Sequence, residues 1–203
     1  MARQNRVTPE GAIVANPARG LFTGNRGILC DEAGAMRWPW RHKAWICCLL
    51  SWKGNRQPLE DAHRWTPLFF LDEAVALSAG HRPCAYCRRA DYDRFRSAWG
   101  AAFGATPSAK EIDAALHEAR IIPRLRVQRS HEADLTDLPD GTFIHREGHP
   151  ALLLGDLLLP WSPSGYGASS QRPGSGRVTV LTPAPVVAVL RAGYRPTLHP
   201  SAS

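Results

Sequence analysis

Cysteine is the residue type in this 203-residue chain whose spacing most directly suggests chemistry. All of its cysteines lie within the first 87 residues: Cys30, Cys47, Cys48, Cys84 and Cys87. The last two form a Cys-x-x-Cys pair in the stretch HRPCAYCRR, beside one histidine and three arginines. A thioredoxin-like redox pair follows a strand and opens a helix, whereas this pair follows a predicted helix and a glycine stop. Two buried free thiols would need apolar neighbours, so the pattern favours half of a metal site.

A closed structural zinc site needs four tetrahedral ligands, so two more ligands must come from elsewhere in the chain. Cys47 and Cys48 are adjacent in a predicted strand and point to opposite faces, so only one reaches the ion easily, and we favour Cys48. Cys30 stands at the end of another predicted strand, just before a turn. The predicted zinc ligands are Cys30, Cys48, Cys84 and Cys87, with His81 as the alternative fourth ligand and His63 as a more distant one. His81 is equally suited to capping the carbonyl groups of the preceding helix.

Turn signals and hydrophobic periodicity predict the elements that position these residues. Apolar runs at 28–30 and 44–52 predict strands, and Asp72 is the expected N-cap of a helix over 74–79 that Gly80 ends. Aromatic residues at helical spacing then predict an amphipathic helix with a core-facing stripe, formed by Tyr92, Phe95, Trp99 and Phe103. Ser108 and Glu111 form a capping box for a helix over 109–121.

The C-terminal third differs in composition, with short apolar runs and turn residues in place of helical periodicity. Glycine-containing turns separate three apolar runs between 138 and 163, which predicts an antiparallel meander. A flexible loop over 164–176, a strand over 177–182 and a helix that starts at Thr182–Pro183 and ends before Gly193 follow. We therefore expect an α+β fold: a small zinc-stabilised N-terminal β/α module, two helices and a small antiparallel β unit. The expected divisions are a zinc-binding basic module at 1–105, a connecting helix at 106–127 and a β-rich domain at 128–203.

The net charge of +7 is unevenly distributed. Residues 1–105 hold 15 Lys and Arg against 9 Asp and Glu, whereas residues 106–203 hold 10 against 9. This asymmetry suggests an anionic partner, above all nucleic acid, although a basic chain can also be basic without such a partner. Five tryptophans, at positions 38, 40, 45, 52 and 65, are interleaved with the cations. The predicted nucleic-acid contacts are Arg41, Lys43, Arg56, Arg82, Arg88 and Arg89.

An enzymatic alternative rests on the helix over 109–121. Asp113, His117 and Arg120 are spaced by four and three residues, so they share a helix face about 100 degrees from the buried one. Such a face could orient His117 as a general base, with Arg120 holding a phosphate. An ordinary solvated face with an ion pair is the competing interpretation. Phosphate-loop, nucleophile-elbow and dinucleotide motifs do not occur in the sequence.

The stretch FFLDEAVALSAGHRPCAYCRR resembles the zinc-binding module of the Ada DNA-repair proteins, which is also appended to some bacterial nucleases. The resemblance covers about residues 66–92 and depends on Gly80, Arg82, Pro83, Cys84 and Cys87. It implies that Cys84 and Cys87 bind zinc and that the protein acts on DNA, in repair, modification recognition or defence. The family's upstream Cys-x-x-x-Cys is absent here, so its methyl-acceptor role does not transfer, and His81 replaces the usual aromatic residue.

Three functional hypotheses follow from the sequence: a zinc protein that binds nucleic acid, with DNA as the expected form; an enzyme acting on DNA or a nucleotide in which zinc is only structural; and a protein-binding scaffold. The first twenty residues lack an apolar segment of signal-peptide length, and nowhere do 18 apolar residues run together. We therefore expect a cytoplasmic protein without a membrane partner, in which the thiols stay reduced.

Overall fold

Two β-sheets, two short β-hairpins and four α-helices make up the part of the chain that our computed structural model describes, residues 2–56 and 65–203. The fold is therefore α+β, as expected, but it is larger than the small module followed by a β unit that the sequence suggested. Every helix in the described residues is too short or too polar to cross a bilayer.

The N-terminal sheet has six strands and carries the residues of interest. In spatial order they are β2 (Ile13–Ala15), β1 (Gln4–Val7), β7 (Leu68–Phe70), β3 (Phe22–Asn25), β4 (Ile46–Leu49) and β8 (Arg82–Pro83). Strands β1 and β7 are parallel, as are β4 and β8, and the remaining pairs are antiparallel. A separate hairpin, β5 (Ser51–Trp52) and β6 (Asn55–Arg56), follows β4. The strand predicted at 28–30 is present only as a single bridge between Cys30 and Met36.

The C-terminal sheet contains the predicted meander. Its strands are β11 (His131–Asp134), β17 (Arg177–Val180), β12 (Phe143–Arg146), β13 (His149–Leu154), β14 (Leu157–Ser162), β15 (Gly165–Tyr166) and β16 (Ser170–Gln171). Strands β12, β13 and β14 pair antiparallel in sequence, which confirms the meander. The segment predicted as a flexible loop contributes β15 and β16, which both pair with β14. A second short hairpin, β9 (Ile121–Ile122) and β10 (Val127–Gln128), links the helices to this sheet.

The helices begin within two residues of the predicted positions. They are α1 (Glu73–Ser78), α2 (Arg89–Phe103), α3 (Ala109–Arg120) and α4 (Ala184–Arg191), and two 3-10 helices lie at Leu135–Asp137 and Pro200–Ala202. The Asp72 carboxylate accepts a hydrogen bond from the Val75 amide at 3.0 Å, which caps α1. Both hydrogen bonds of the Ser108–Glu111 capping box are present at the start of α3.

The hydrophobic core crosses the predicted domain boundaries. One cluster joins the N-terminal sheet and α1 to the C-terminal sheet, with Phe70 and Phe143 both fully buried. A second cluster packs the aromatic stripe of α2 against α3 and α4, and here Phe103 is the exception because it is half exposed. The tail of the chain also anchors α1, since the Tyr194 hydroxyl donates to the buried Glu73 carboxylate at 2.5 Å. The two clusters thus combine residues from before position 105 with residues from after position 127.

Candidate metal centre

Strand pairing brings the Cys-x-x-Cys turn to the strand that carries Cys48. Strand β8 runs parallel to β4, with Cys47 opposite Pro83, and the Cys84 amide donates to the Cys47 carbonyl at 2.9 Å. The turn that starts at Cys84 therefore begins at the end of a short strand that β4 holds in register. Because neighbouring side chains in a strand point to opposite faces, Cys48 and Cys47 take different surroundings.

Three sulfur atoms converge at this place. The Sγ atoms of Cys48, Cys84 and Cys87 all lie within 4.8 Å of one another, and these side chains are only 8–9% exposed. Zinc–sulfur bonds of about 2.3 Å in tetrahedral geometry place sulfur atoms about 3.8 Å apart, so the group is close to the spacing that one ion needs. The group could hold a metal.

Backbone donors and apolar side chains surround the sulfur group. The Leu49 amide donates to Cys87 Sγ at 3.4 Å, and the Tyr86 amide donates to Cys84 Sγ at 3.5 Å. Such donors stabilise thiolates over thiols. On the outside, the Trp52 ring packs against the group and stands 4.4 Å from the ring of Tyr86, which is 71% exposed. The group thus has an apolar wall, but it lies near the surface.

The thiols perturb one another, as expected for sulfur atoms in contact. Hydrogen bonds to Cys84 and Cys87, together with burial, raise the pKa of Cys48. Hydrogen bonds from Cys48 and Cys87 lower the pKa of Cys84. One thiolate is therefore stabilised at the expense of a second one. A cation with a double charge would remove this conflict, because it favours the deprotonated form of every sulfur that it binds.

The predicted ligand Cys30 and the remaining cysteine, Cys47, both lie outside the sulfur group. Cys30 is not among the three; its half-buried sulfur accepts from the Thr66 hydroxyl at 3.9 Å. Cys47 is buried, and its sulfur accepts from Arg88 Nη1 at 3.3 Å, while burial raises the pKa of this thiol. It is therefore a small core residue. The third-ranked candidate, His63, lies outside the described residues.

His81 also has another environment. Its fully buried ring lies 5.3 Å from the Trp45 ring, and Arg26 Nε donates to His81 Nε2 at 3.3 Å. The guanidinium groups of Arg26 and Arg120 stack on Trp45 at 4.1 and 3.7 Å from the ring centre. Burial, and then the two arginines, lower the pKa of His81, so it is neutral. It is a core histidine and not part of the sulfur group.

Two of the predicted nucleic-acid contacts, Arg82 and Arg88, are buried. Arg82 forms a bidentate ion pair with Asp113, in which both nitrogen–oxygen distances are 2.8 Å. Arg88 Nη2 lies 2.8 Å from Glu73 and 2.6 Å from Asp91, with its side chain 1% exposed. Both guanidinium groups are buried in ion pairs in this structure, so neither belongs to its basic surface.

The other predicted nucleic-acid contacts are exposed, except for Arg56, whose side chain the structure does not describe. Arg41 and Lys43 are exposed. Arg89 is exposed as well and forms an i,i+4 ion pair with Asp93 at 2.9 Å. The side chain of Arg56 lies outside the described part of the structure, although its backbone belongs to β6. Fewer arginines are thus exposed in the basic part of the chain than its sequence suggested.

The predicted catalytic face is not a solvated face. Both oxygens of Asp113 bind Arg82, and Arg120 is fully buried, donating to the carbonyls of Gly80 and Lys43. Burial lowers the pKa of Arg120 to about 8. His117 is half buried and 3.4 Å from Arg120 Nη2, and burial lowers its pKa. These residues hold α3 to the N-terminal sheet, because the partners of Asp113 and Arg120 lie there, and no carboxylate orients His117 in the described residues.

Sequence reasoning missed one residue that the structure brings beside the aromatic part of the basic surface. Arg126, at the turn of the β9–β10 hairpin, lines a cleft together with Trp38 and Arg41. Its left-handed backbone, with φ of 53 degrees, marks a tight turn, but the sequence gives no glycine or asparagine that would have predicted this.

Comparison of the whole chain with protein-family models, with curated proteins and with solved structures finds no match. The likeness of residues 66–92 to the Ada-type zinc module therefore stays a prediction that rests on the quoted residues alone.

Proposed function

We propose that this chain is a zinc protein of the cytoplasm that binds nucleic acid, with DNA as the expected form. The observation that carries the proposal is the convergence of Cys48, Cys84 and Cys87 within 4.8 Å. In this proposal the ion ties the Cys-x-x-Cys turn to β4 and so stabilises the basic part of the chain. Its role is structural, with nucleic-acid contact made by side chains elsewhere on the surface.

Donor chemistry supports zinc as the ion. Sulfur ligands select zinc, copper(I) and iron–sulfur clusters over magnesium or calcium, which prefer oxygen. Zinc also accepts sulfur ligands from a Cys-x-x-Cys turn and a neighbouring strand, which is the arrangement described above. A closed structural zinc site has four ligands, and the sulfur group of the described residues supplies three of them.

Metal analysis of matched cysteine variants tests this part of the proposal. We expect about one zinc per chain in the purified protein and a large loss of zinc in Cys48→Ser and Cys84→Ser. Cys30→Ser is the control, because Cys30 has the same chemistry and lies outside the group. Full zinc in both Cys48→Ser and Cys84→Ser, or its loss only in Cys30→Ser, would contradict the ligand assignment.

Nucleic acid is the partner that the surface chemistry favours. Exposed cations, among them Arg41 and Lys43, lie in the same short segment as half-buried indole rings at Trp38 and Trp40. Cations attract phosphate, and indole rings stack on bases. Binding to DNA that weakens steeply with salt would support this hypothesis over a protein-binding scaffold, which has no reason to show it.

The enzymatic alternative has lost its geometric basis. It required Asp113 to orient His117, but both oxygens of the carboxylate accept hydrogen bonds from Arg82 instead. We therefore do not carry it forward as a second function. DNA-linked catalysis that survives in a folded His117→Ala variant would count further against this alternative.

A further inference from the structure

A cleft of about 290 Å³ lies between the segment around Trp38 and the tip of the β9–β10 hairpin. Its volume is at the lower end of the roughly 300–1,000 Å³ that ligand sites have. Five residues line it: Trp38, Pro39, Trp40, Arg41 and Arg126. Indole rings and guanidinium groups thus face the same space, and none of the described residues that line it is acidic.

The aromatic wall is held in place by contacts with the protein interior. The Trp40 ring lies 6.1 Å from the buried Trp45 ring and meets the His117 ring edge-on at 5.8 Å. The guanidinium of Arg41 lies over the face of Trp38, 4.7 Å from the ring centre. Because the backbone amide of Arg41 also donates to the Arg26 carbonyl at 2.8 Å, this wall is ordered before any ligand arrives.

The opposite wall is the turn of the hairpin. The amides of Leu125 and Arg126 both donate to the Ile122 carbonyl, at 3.2 and 2.9 Å, which fixes the turn. Arg124 and Arg126 are exposed on either side of Leu125, whose side chain is 67% exposed. An apolar side chain between two cations at the tip of a β-ribbon is suited to a partner that offers both phosphate and base surface.

The charges that line the two neighbouring clefts favour the smaller one as the site for an anion. A larger cleft of about 810 Å³ shares Trp38 and Arg41 but is also lined by Asp31 and Glu32, whose carboxylates repel phosphate. Among the described residues, neither Arg41 nor Arg126 has a carboxylate partner, so both guanidinium groups are free to bind an anion.

We infer that the cleft between Trp38 and Arg126 binds an unstacked base of single-stranded nucleic acid, with the flanking phosphates on Arg41 and Arg126. This inference rests on the proposed nucleic-acid function and deepens it by naming the site and the form of the strand. A single strand fits because its bases expose their faces for stacking on indole rings, whereas the bases of a duplex are stacked on each other.

Anisotropy titration of the zinc-loaded protein with a fluorescein-labelled oligothymidylate tests the inference. We expect Trp38→Ala to raise Kd about tenfold or more, as for the loss of one stacked base. We expect Arg126→Ala to weaken binding and to reduce the slope of log K against log salt by about 0.7, the value for one phosphate contact on a single strand. Arg126→Ala also guards against misfolding of Trp38→Ala, because Arg126 is exposed.

Arg146→Ala is the matched control. Arg146 is also an exposed arginine beside a hairpin turn, but in the C-terminal sheet, so its loss should leave Kd and salt slope unchanged. If the parent protein binds no oligonucleotide even at low salt, the nucleic-acid function itself is refuted. If it binds but Trp38→Ala and Arg126→Ala bind equally well, only the assignment of the cleft fails. A duplex of equal length bound as tightly as the single strand would refute the strand form.

Discussion

Separating the buried pair of Arg82 and Asp113 should destabilise the protein strongly, although the arginine stands in the most basic stretch of the sequence. Both carboxylate oxygens are bound at 2.8 Å, and the side chains are only 6% and 10% exposed. Removing one member leaves the other charged and buried, which costs about 3–5 kcal/mol. In a chain of this length that lowers Tm by about 6–20 °C.

The assay is urea unfolding of Arg82→Met, Asp113→Leu and the double variant, followed by tryptophan fluorescence at constant zinc. Each single variant should lose about 3–5 kcal/mol of unfolding free energy, whereas the double variant should be much less destabilised than either, because an apolar pair leaves no buried charge behind. The exposed pair of Arg89 and Asp93 is the control, and its disruption should cost less than about 1 kcal/mol.

The reasoning is refuted if Arg82→Met keeps its stability and instead loses affinity for DNA. That result would mean that Arg82 faces a partner, as its position in the sequence first suggested. Equal and additive losses in the two single variants and the double variant would also count against a coupled pair. DNA binding by the stable double variant should equal that of the parent protein.

Two further predictions concern the surroundings of His81. Gly80 has φ of 79 degrees, and a Cβ there would stand 2.3 Å from Arg120 Cδ, whereas Gly148 has φ of 82 degrees and nothing within 4 Å. Gly80→Ala should therefore lower the free energy of unfolding by about 1–3 kcal/mol more than Gly148→Ala does. Equal losses of stability in thermal unfolding would argue against the close contact. Burial lowers the pKa of His81, so below about pH 6.5 this histidine is protonated in the unfolded chain but stays neutral in the folded protein. The free energy of unfolding therefore falls as the pH falls, by at most about 1.4 kcal/mol per pH unit. In His81→Gln this dependence between pH 7 and 5 should be weaker, and an unchanged slope in urea titrations would disprove the assignment.

Local signals predicted the local features of this fold. Asp72, Ser108 and the glycine-containing hairpin turns act through hydrogen bonds and backbone angles within a few residues, so the sequence alone reveals them. The Cys-x-x-Cys turn is of the same kind. By contrast, the choice of Cys48 over Cys30 depends on the pairing of β4 with β8, which joins positions more than thirty residues apart. No spacing rule in a single sequence contains that pairing.

Burial of charge was the main feature that the sequence did not reveal. An arginine in a basic stretch is expected at the surface. Arg82, however, forms a buried ion pair with a carboxylate on α3, and Arg88 forms one with a carboxylate on α1. Arg120 forms no ion pair with a carboxylate in the described residues, and its guanidinium stacks on Trp45 instead. A count of charges therefore overstates the surface available to an anion, because buried guanidinium groups are satisfied by partners that only the tertiary structure brings close.

The two faces of β4 explain how a metal and a buried ion network can share one strand. Cys48 joins the sulfur group, whereas Cys47 on the other face accepts from Arg88, which in turn binds Glu73. Arg88 follows Cys87 directly, so its guanidinium links the C-terminal end of the Cys-x-x-Cys turn to the core. An ion bound by Cys84 and Cys87 would link the same turn to Cys48. The fold has large apolar cores of its own, and such an ion would therefore define the geometry of the turn more than it decides whether the chain folds.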